Sequence, residues 1–298
     1  MAEAFTLLMP VYRQDRPQML RRAFTSTVHE QLRRPAEVVV VQDGAIGREL
    51  ASALESLEST SPVPVRRLRL SRSVGLAQAL QCGLSACSHD VIARMDADDI
   101  SLPERFARQL PLLEAGFDLV GSAIEEIGDD ESRAGVVRVP PTTAEEIARE
   151  ARWRSPFNHP SVVYRRSAVL HAGGYRELPL LEDYWLFARM IGSGARTANL
   201  AQALVLYRIG AGSYERRGGL RLLRSEVALQ RRLRSEGFIG GREQLRNVAV
   251  RGGYRLVPVA LRRRAYRRAF TTTCTVAEPV SPPAGSPPPL PRRSGTVA

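Results

Sequence analysis

Short apolar runs alternate with stretches of helical spacing, and each run gives way to polar or small residues; this pattern leaves the chain few folds to adopt. The strands expected from them are Phe5–Met9, Glu37–Val41 with its four valines, the region from Val63 to Leu70, which also carries three Arg, and Val91–Met95. Between them lie Arg16–Leu32, Arg48–Glu58 and Gly75–Ala86. In the first of these, Leu20, Phe24 and Val28 share one helical stripe and Pro17 suits a first turn. Strands buried on both faces and joined by helices imply an α/β fold with a mostly parallel, Rossmann-like sheet and flanking helices. Ligands of such sheets sit beyond the C-terminal strand edges, so function is expected in the loops after Met9, Val41, Leu70 and Met95.

The pattern continues with helices expected over Pro103–Leu113, Thr143–Arg152 and Leu181–Ile191. Further strands are expected over Asp118–Glu125, Ser161–Tyr164 and Ala203–Tyr207. After Tyr207 the character changes to Arg-rich helical patterns, Leu220–Leu233 and Gln244–Phe270, and from Val276 to a Pro-, Ser- and Gly-rich tail that reads as disordered. The division that follows is a catalytic unit over 1–210, a basic helical region over 211–275, and the tail over 276–298.

Charge follows the same division. All 43 basic residues are Arg; residues 1–202 hold 24 of them against 26 acids, whereas residues 203–270 hold 17 against four Glu. The excess behind the overall +12 therefore belongs to one C-terminal region, which seeks an anionic partner. From Arg246 to Arg268 there are eight Arg and no acid, interleaved with apolar residues such as Leu256, Val257 and Leu261. That combination suits an anionic membrane surface. No nucleic acid is expected, because neither zinc-finger spacing nor an RNA-binding aromatic signature is present. With 44% hydrophobic residues and 25% charged ones, the composition excludes a disordered regulator and a collagen-like rod. No apolar run approaches the ~20 residues of a membrane span. Cys82, Cys87 and Cys274 match neither a metal spacing nor a disulfide framework, and the Met1–Phe5 start lacks a signal peptide's features. A cytoplasmic enzyme, peripheral on the inner face of the cell membrane, is the expectation.

The sharpest local signal is Asp96-Ala97-Asp98-Asp99 at the end of the Val91–Met95 run. Three carboxylates in four residues repel one another unless a cation or hydrogen-bond donors compensate, and a divalent ion bridging protein and diphosphate would do so. The alternative is a helix cap by Asp99 or Ser101, which leaves Asp96 and Asp98 unexplained. Asp43, before Gly44, suits either a base or ribose hydroxyl or an ordinary turn. Pro10, Tyr12 and Arg13 follow the first strand, where an aromatic can stack and an Arg can pair with phosphate; Arg72 and Gly75 lie on the same rim. Glu182-Asp183 opens a helix, either as a cap or as a base for an attacking hydroxyl. His159, preceded by Asn158, and Trp185 are further candidates for acceptor contact or loop shaping.

Together these residues resemble the family 2 glycosyltransferases, the inverting group with the nucleotide-diphospho-sugar (GT-A) fold, over roughly residues 5–210. The pieces that carry the resemblance are Met9-Pro10-Val11-Tyr12, Val38 to Gly44, Gly75-Leu76, Asp96-Ala97-Asp98-Asp99, Asn158-His159-Pro160-Ser161, Gly173-Gly174-Tyr175 and Glu182-Asp183-Tyr184, in that order. The resemblance implies a nucleotide-sugar donor, with the nucleoside held by Asp43 and the Pro10–Tyr12 segment and with Arg72 near the base or phosphates. It implies Mg²⁺ or Mn²⁺ on Asp98, with Asp96 beside it, and Asp183 as catalytic base with Glu182 orienting the acceptor or supporting the loop. The implied acceptor is a saccharide or lipid-linked saccharide of bacterial cell-envelope or exopolysaccharide synthesis. Three positions depart from the family pattern: Gln42 stands where a second acid is common, Ser73 where Asn is usual, and Arg208-Ile209-Gly210 lacks the His found two residues after the Arg. The Gln–x–x–Arg–Trp motif of processive synthases is absent, so a non-processive enzyme is implied. Two other classes compete. A sugar-nucleotide nucleotidyltransferase would need a Gly-rich, basic loop that Met9–Arg13 does not provide; a binding protein for anionic lipid or nucleic acid would rest on the C-terminal Arg residues alone.

Overall fold

The computed structural model describes residues 3–131, 133, 135–209 and 220–253. In chain order the elements are β1 (Phe5–Tyr12), α1 (Pro17–Phe24), β2 (Glu37–Asp43), α2 (Arg48–Thr60), β3 (Val65–Arg69), α3 (Leu76–Ala86), β4 (Val91–Arg94) and β5 (Ile100–Ser101). They continue with α4 (Arg105–Glu114), β6 (Leu119–Ile127), β7 (Val137–Arg138), α5 (Ala144–Ala151), β8 (Val163–Arg165), α6 (Arg166–His171), α7 (Glu182–Gly192) and β9 (Thr197–Arg208). Two C-terminal helices, α8 (Leu220–Ser235) and α9 (Gly241–Asn247), follow.

The strands form one mixed sheet in the order β3-β2-β1-β4-β8-β6-β9-β5, with β7 beside β6. The β3-β2-β1-β4 half is parallel; β8 runs antiparallel to both β4 and β6, and β9 returns parallel to β6. Alternation along each strand sends neighbouring residues to opposite faces. Leu7, Met9, Val38 and Val40 pack with Phe24 of α1, Leu54 of α2 and Phe106 of α4. Leu8, Val39 and Val41 pack with Leu80 of α3, Val169 of α6 and Phe187 of α7. Both faces are therefore covered, as the uninterrupted apolar runs required.

Four boundaries differ from the sequence reading. β1 runs through Pro10 to Tyr12, because its pairing with β4 stops at Leu8 and the proline lies where only β2 is a neighbour. The helix expected over Arg16–Leu32 ends at Phe24 in a π-turn over Thr25–His29: the Ser26 and Thr27 hydroxyls both donate to the Ala23 carbonyl and compete for the helical acceptor. β9 starts at Thr197 rather than Ala203; its register with β6 shifts around Ala123, which breaks the alternation of a single strand. His159–Ser161 is a 3₁₀ turn, and the strand that follows is Val163–Arg165.

The C-terminal helices pack on the sheet domain. Leu222, Leu229 and Leu233 of α8, with Ile239, form one apolar cluster with Leu181, Tyr184 and Trp185. The expected Gln244–Phe270 helix is represented by α9 and a π-turn over Val248–Gly252; the rest of it, and the 276–298 tail, lie outside the described residues. No described helix is long and apolar enough to cross a membrane.

Candidate active site

The acidic loop sits where β4 ends. Asp96, Asp98 and Asp99 each offer one carboxylate oxygen, all within 4.8 Å of one another. Each has a different setting. Asp96 is clamped by both terminal nitrogens of Arg94, whose side chain is 2% exposed. Asp99 is buried; one oxygen accepts from the Arg208 backbone N–H at 2.8 Å and the other has no hydrogen-bond partner among the described residues. Asp98 is exposed on the rim. The cap alternative fails here, because α4 begins at Arg105 after Glu104 with no side-chain cap, and the Ser101 hydroxyl accepts from the Arg105 guanidinium at 3.4 Å instead of from a backbone N–H of the helix start.

Arg208 takes the place of a ligand by acting as a brace. Its guanidinium donates to the Asp98 carbonyl at 3.0 Å and to the Gly128 and Asp129 carbonyls at 2.8 and 3.1 Å, which ties the acidic loop to the end of β6. Below the loop, the buried Arg105 donates to the Arg94 carbonyl at 2.7 Å. A fourth carboxylate, Asp15, joins from the loop after β1, where it accepts from the Tyr12 N–H at 2.8 Å.

These groups are under-compensated. Loss of solvent, then the neighbouring Asp98 and Asp96 charges, push Asp15 up to about 7. Loss of solvent and the Asp96 charge push Asp98 up to about 6, and burial raises Asp99 well above the ordinary carboxylate range. An orphaned buried carboxylate oxygen, in reach of two other carboxylates that resist ionising together, fits a hard divalent cation.

A cavity of about 420 Å³ opens beside the loop, and its lining includes Arg94, Asp96, Asn158, His159 and Asp183. The structure thus joins the acidic motif to a helix start nearly ninety residues later. Asp183 stands in the first turn of α7 and accepts from the Tyr184 N–H at 2.7 Å; burial raises its carboxyl, opposed by that bond and by the Arg94 charge. Glu182 faces elsewhere, lining a second cavity of about 270 Å³ with Val74, Gly75, Leu76 and Arg221; burial and the Asp183 charge push it up to about 7. Leu180 borders both cavities with φ of 69°, a left-handed backbone rare for a branched residue and found where local strain serves a site.

His159 is buried, with Nε2 3.0 Å from the Tyr175 hydroxyl, which brings Asn158-His159-Pro160-Ser161 against Gly173-Gly174-Tyr175. Burial and the Arg94 charge lower its pKa well below the usual range, so it meets the cavity as a neutral ring. Asn158 also lines the cavity, and its amide donates to the Ser122 carbonyl at 2.9 Å and so fixes this turn.

On the rim formed by the end of β2, Asp43 is an anchor for the loop before α3. It accepts from the Val74 N–H at 2.6 Å, the Ser73 hydroxyl at 2.9 Å and the Gly75 N–H at 3.1 Å. Ser73 thus supplies a donor to Asp43. Gln42 donates from its amide to the Gly44 carbonyl at 2.9 Å. Tyr12 and Arg72 are exposed, and Pro10 is half-buried at the same strand end.

Trp185 does not line either cavity. Its indole N–H donates to Glu236 at 3.1 Å, and the guanidinium of Arg232 lies 4.1 Å from its ring centre. It fastens α8 to α7. Conversely, the sequence reading missed Leu222 and Arg251, which come from the C-terminal region and line the larger cavity. It also missed the buried roles of Arg94 and Arg208, since arginines in strands read as surface residues.

A family model described as glycosyl transferase family 2 matches residues 6–174. An uncharacterized glycosyltransferase of Haemophilus influenzae is 36% identical over 88% of this chain and 97% of that protein. The amylovoran biosynthesis glycosyltransferase AmsE of Erwinia amylovora is 33% identical over 89% and 98%. UDP-Gal:alpha-D-GlcNAc-diphosphoundecaprenol beta-1,3-galactosyltransferase of Escherichia coli is 30% identical over 89% and 96%. Among solved structures, Staphylococcus aureus TarS 1-349 in complex with UDP-GlcNAc shares the fold with a TM-score of 0.59 at 15% identity, covering 89% of this chain and 74% of that one.

Proposed function

The chain belongs to glycosyl transferase family 2 and is a glycosyltransferase, and from that premise we propose that it is an inverting, non-processive enzyme of GT-A architecture. The donor is a nucleotide-diphospho-sugar, a UDP-sugar in this reading, and the acceptor is a hydroxyl of a saccharide or lipid-linked saccharide in bacterial cell-envelope or exopolysaccharide synthesis. The observation that carries the reading is that Asp96 of a carboxylate cluster fit for a divalent cation and the half-buried carboxylate of Asp183 line one cavity together with Arg94.

In this mechanism Asp98, with Asp96 beside it, would hold Mg²⁺ or Mn²⁺, and such an ion would supply charge neutralisation for the leaving diphosphate. Pro10, Tyr12 and Arg72 line the nucleoside side, and Asp43 shapes that side by fixing the loop from Ser73 to Gly75. Asp183 takes the proton from the acceptor hydroxyl, and its raised pKa strengthens it as a base. The hydroxyl oxygen then bonds to the anomeric carbon opposite the departing diphosphate, which inverts the configuration. Neutral His159 and Asn158 contribute to the acceptor side of the cavity. Residues after Tyr207 keep the enzyme at the cytoplasmic membrane face.

Calorimetry with UDP-, GDP- and dTDP-sugars, with and without Mn²⁺, tests the reading. Cation-dependent binding of one nucleotide class, weakened at least tenfold (about 1.4 kcal/mol) in Asp98→Ala, is expected. Folded protein that binds no donor would overturn it.

A further inference from the structure

The larger cavity contains two guanidinium groups that the mechanism above does not use. Arg138, on β7, is half-buried, with Nη1 3.4 Å from a Glu126 oxygen. Arg251 arrives from the π-turn after α9, beyond the residues that the family model matches. Its Nε and Nη2 grip the two oxygens of Glu226 at 2.7 and 3.1 Å, and the Glu226 side chain is wholly buried. Glu226 is absent from the cavity lining, whereas Arg251 is part of it. Glu226 thus holds the guanidinium through Nε and Nη2, while Arg251 itself lines the cavity.

The anchoring is extensive. Gln230 donates to Glu226 at 3.2 Å, and buried Asn247 donates to Gln230 at 2.9 Å and to the Arg152 carbonyl at 2.8 Å. A buried polar network of this kind fixes one position for the arginine instead of leaving it to solvent. Arg94, the third guanidinium of the cavity, has both terminal nitrogens on Asp96, whereas Arg138 meets Glu126 through one 3.4 Å contact and Arg251 meets Glu226 through Nε and one terminal nitrogen. A neutral sugar hydroxyl beside Asp183 does not require two more fixed cations, but a phosphate attached to the acceptor sugar does, since guanidinium forks pair with phosphate oxygens through charge-assisted bonds.

The rim supports the same ligand. The segments that lend Leu222 and Arg251 to the cavity carry exposed apolar residues beside them, Leu220 at 64% and Val250 at 54% exposure. An anionic group at Arg251 attached to an apolar chain would meet both features at once.

Resting on the acceptor reading above, we propose that Arg138 and Arg251 form a subsite for the phosphate or diphosphate that links an acceptor saccharide to a lipid, so that the C-terminal helices complete the acceptor site.

The test uses the full chain saturated with UDP and Mg²⁺, titrated with undecyl diphosphate or with uncharged undecyl glucoside by calorimetry. Wild type should bind the diphosphate at least tenfold more tightly than the glucoside. Glu226→Gln/Arg251→Gln, which leaves no unpaired buried carboxylate, should weaken diphosphate binding at least tenfold, and Arg138→Gln at least threefold, with UDP affinity unchanged in both. Arg224→Gln, exposed on α8, controls for net charge and should bind as wild type does. Arg138→Gln keeps the test decisive should the double variant fail to fold. Wild type that prefers neither ligand, or variants that bind the diphosphate as wild type does, would overturn the subsite while UDP binding leaves the donor reading standing. Loss of UDP binding by wild type would remove the premise itself.

Discussion

Asp43→Asn separates two roles for a residue at the nucleoside rim. The carboxylate accepts three hydrogen bonds from the turn ahead of α3, all from residues 30–32 positions away. Asparagine preserves the size of the side chain and one acceptor. Its oxygen can keep the Val74 N–H, and its amide can donate to the Ser73 hydroxyl once that group rotates. The Gly75 N–H then faces a donor at the 3.1 Å at which it now meets an acceptor. One bond to a charged acceptor, worth roughly 1.5–3 kcal/mol, is lost, and the other two fall to neutral strength at roughly 1 kcal/mol each. Gly75 is exposed and regains a water bond, which reduces the total to about 2–3 kcal/mol. Urea denaturation followed by circular dichroism should show that loss. Donor affinity should fall with it, because the loop borders the rim proposed to hold the nucleoside. Full stability with donor binding alone impaired would refute the reasoning and make Asp43 a direct ligand of the base.

Gly44→Ala tests the same contact from the other side: φ is 79° and an added Cβ would lie 2.6 Å from the Ser73 nitrogen, so a loss of roughly 2 kcal/mol or more is expected in the same denaturation assay. Trp185→Ala should loosen α8 with a loss of about 3–5 kcal/mol, read as faster tryptic cleavage within Arg221–Arg251 at unchanged cleavage in α1. The acidic loop makes cation binding pH-dependent. Asp15 and Asp98, raised to about 7 and 6, and Asp99, raised well above the ordinary carboxylate range by burial, hold protons more tightly folded than unfolded. Their favourable contribution to folding is present below the ordinary carboxylate range and is lost as pH rises through those values, where a bound cation restores it. The thermal upshift caused by Mn²⁺ should therefore be larger at pH 7.5 than at 5.5. His159, lowered, works in the opposite sense below about 6.5, but its contribution cancels between samples with and without the ion. An upshift of equal size at both pH values would contradict the assigned proton competition.

Local signals made the first half of the fold legible. An uninterrupted apolar run such as Val38–Val41 states both the strand and its burial on two faces, and its polar end states where ligands gather. Where a hydroxyl competes with the helix, as at Ser26 and Thr27, or a register shift breaks alternation, as opposite Ala123, periodicity gives the wrong boundary. Partners far apart in sequence escaped for a different reason. The contact between Asp99 and Arg208 spans 109 positions, and nothing local marks Arg208 as its brace. Trp185 shows the converse: its position two residues after Asp183 suggested a place in the acceptor site, but the ring belongs to the α7–α8 joint.

The charge pattern of the site explains why so many of its determinants were hidden. Three arginines surround the loop, and they are spent unequally. Arg94 neutralises Asp96 alone. Arg208 binds carbonyl groups on the loop and on β6, so it fixes backbone more than it balances carboxylates. Arg105 lies buried and also gives its shortest bond to a carbonyl. Among the described residues, Asp15, Asp98 and one oxygen of Asp99 have no cationic partner in hydrogen-bond contact, and their raised pKa values record that shortfall. The arrangement holds the backbone rigid through arginine while leaving negative charge uncompensated at one rim. A fold that merely needed a stable loop would gain more by pairing those carboxylates directly. Leaving them unpaired beside a cavity that also holds Asp183 suits the separation of roles a transferase requires: charge stabilisation for the leaving group on one side of Arg94, and proton removal from the nucleophile on the other.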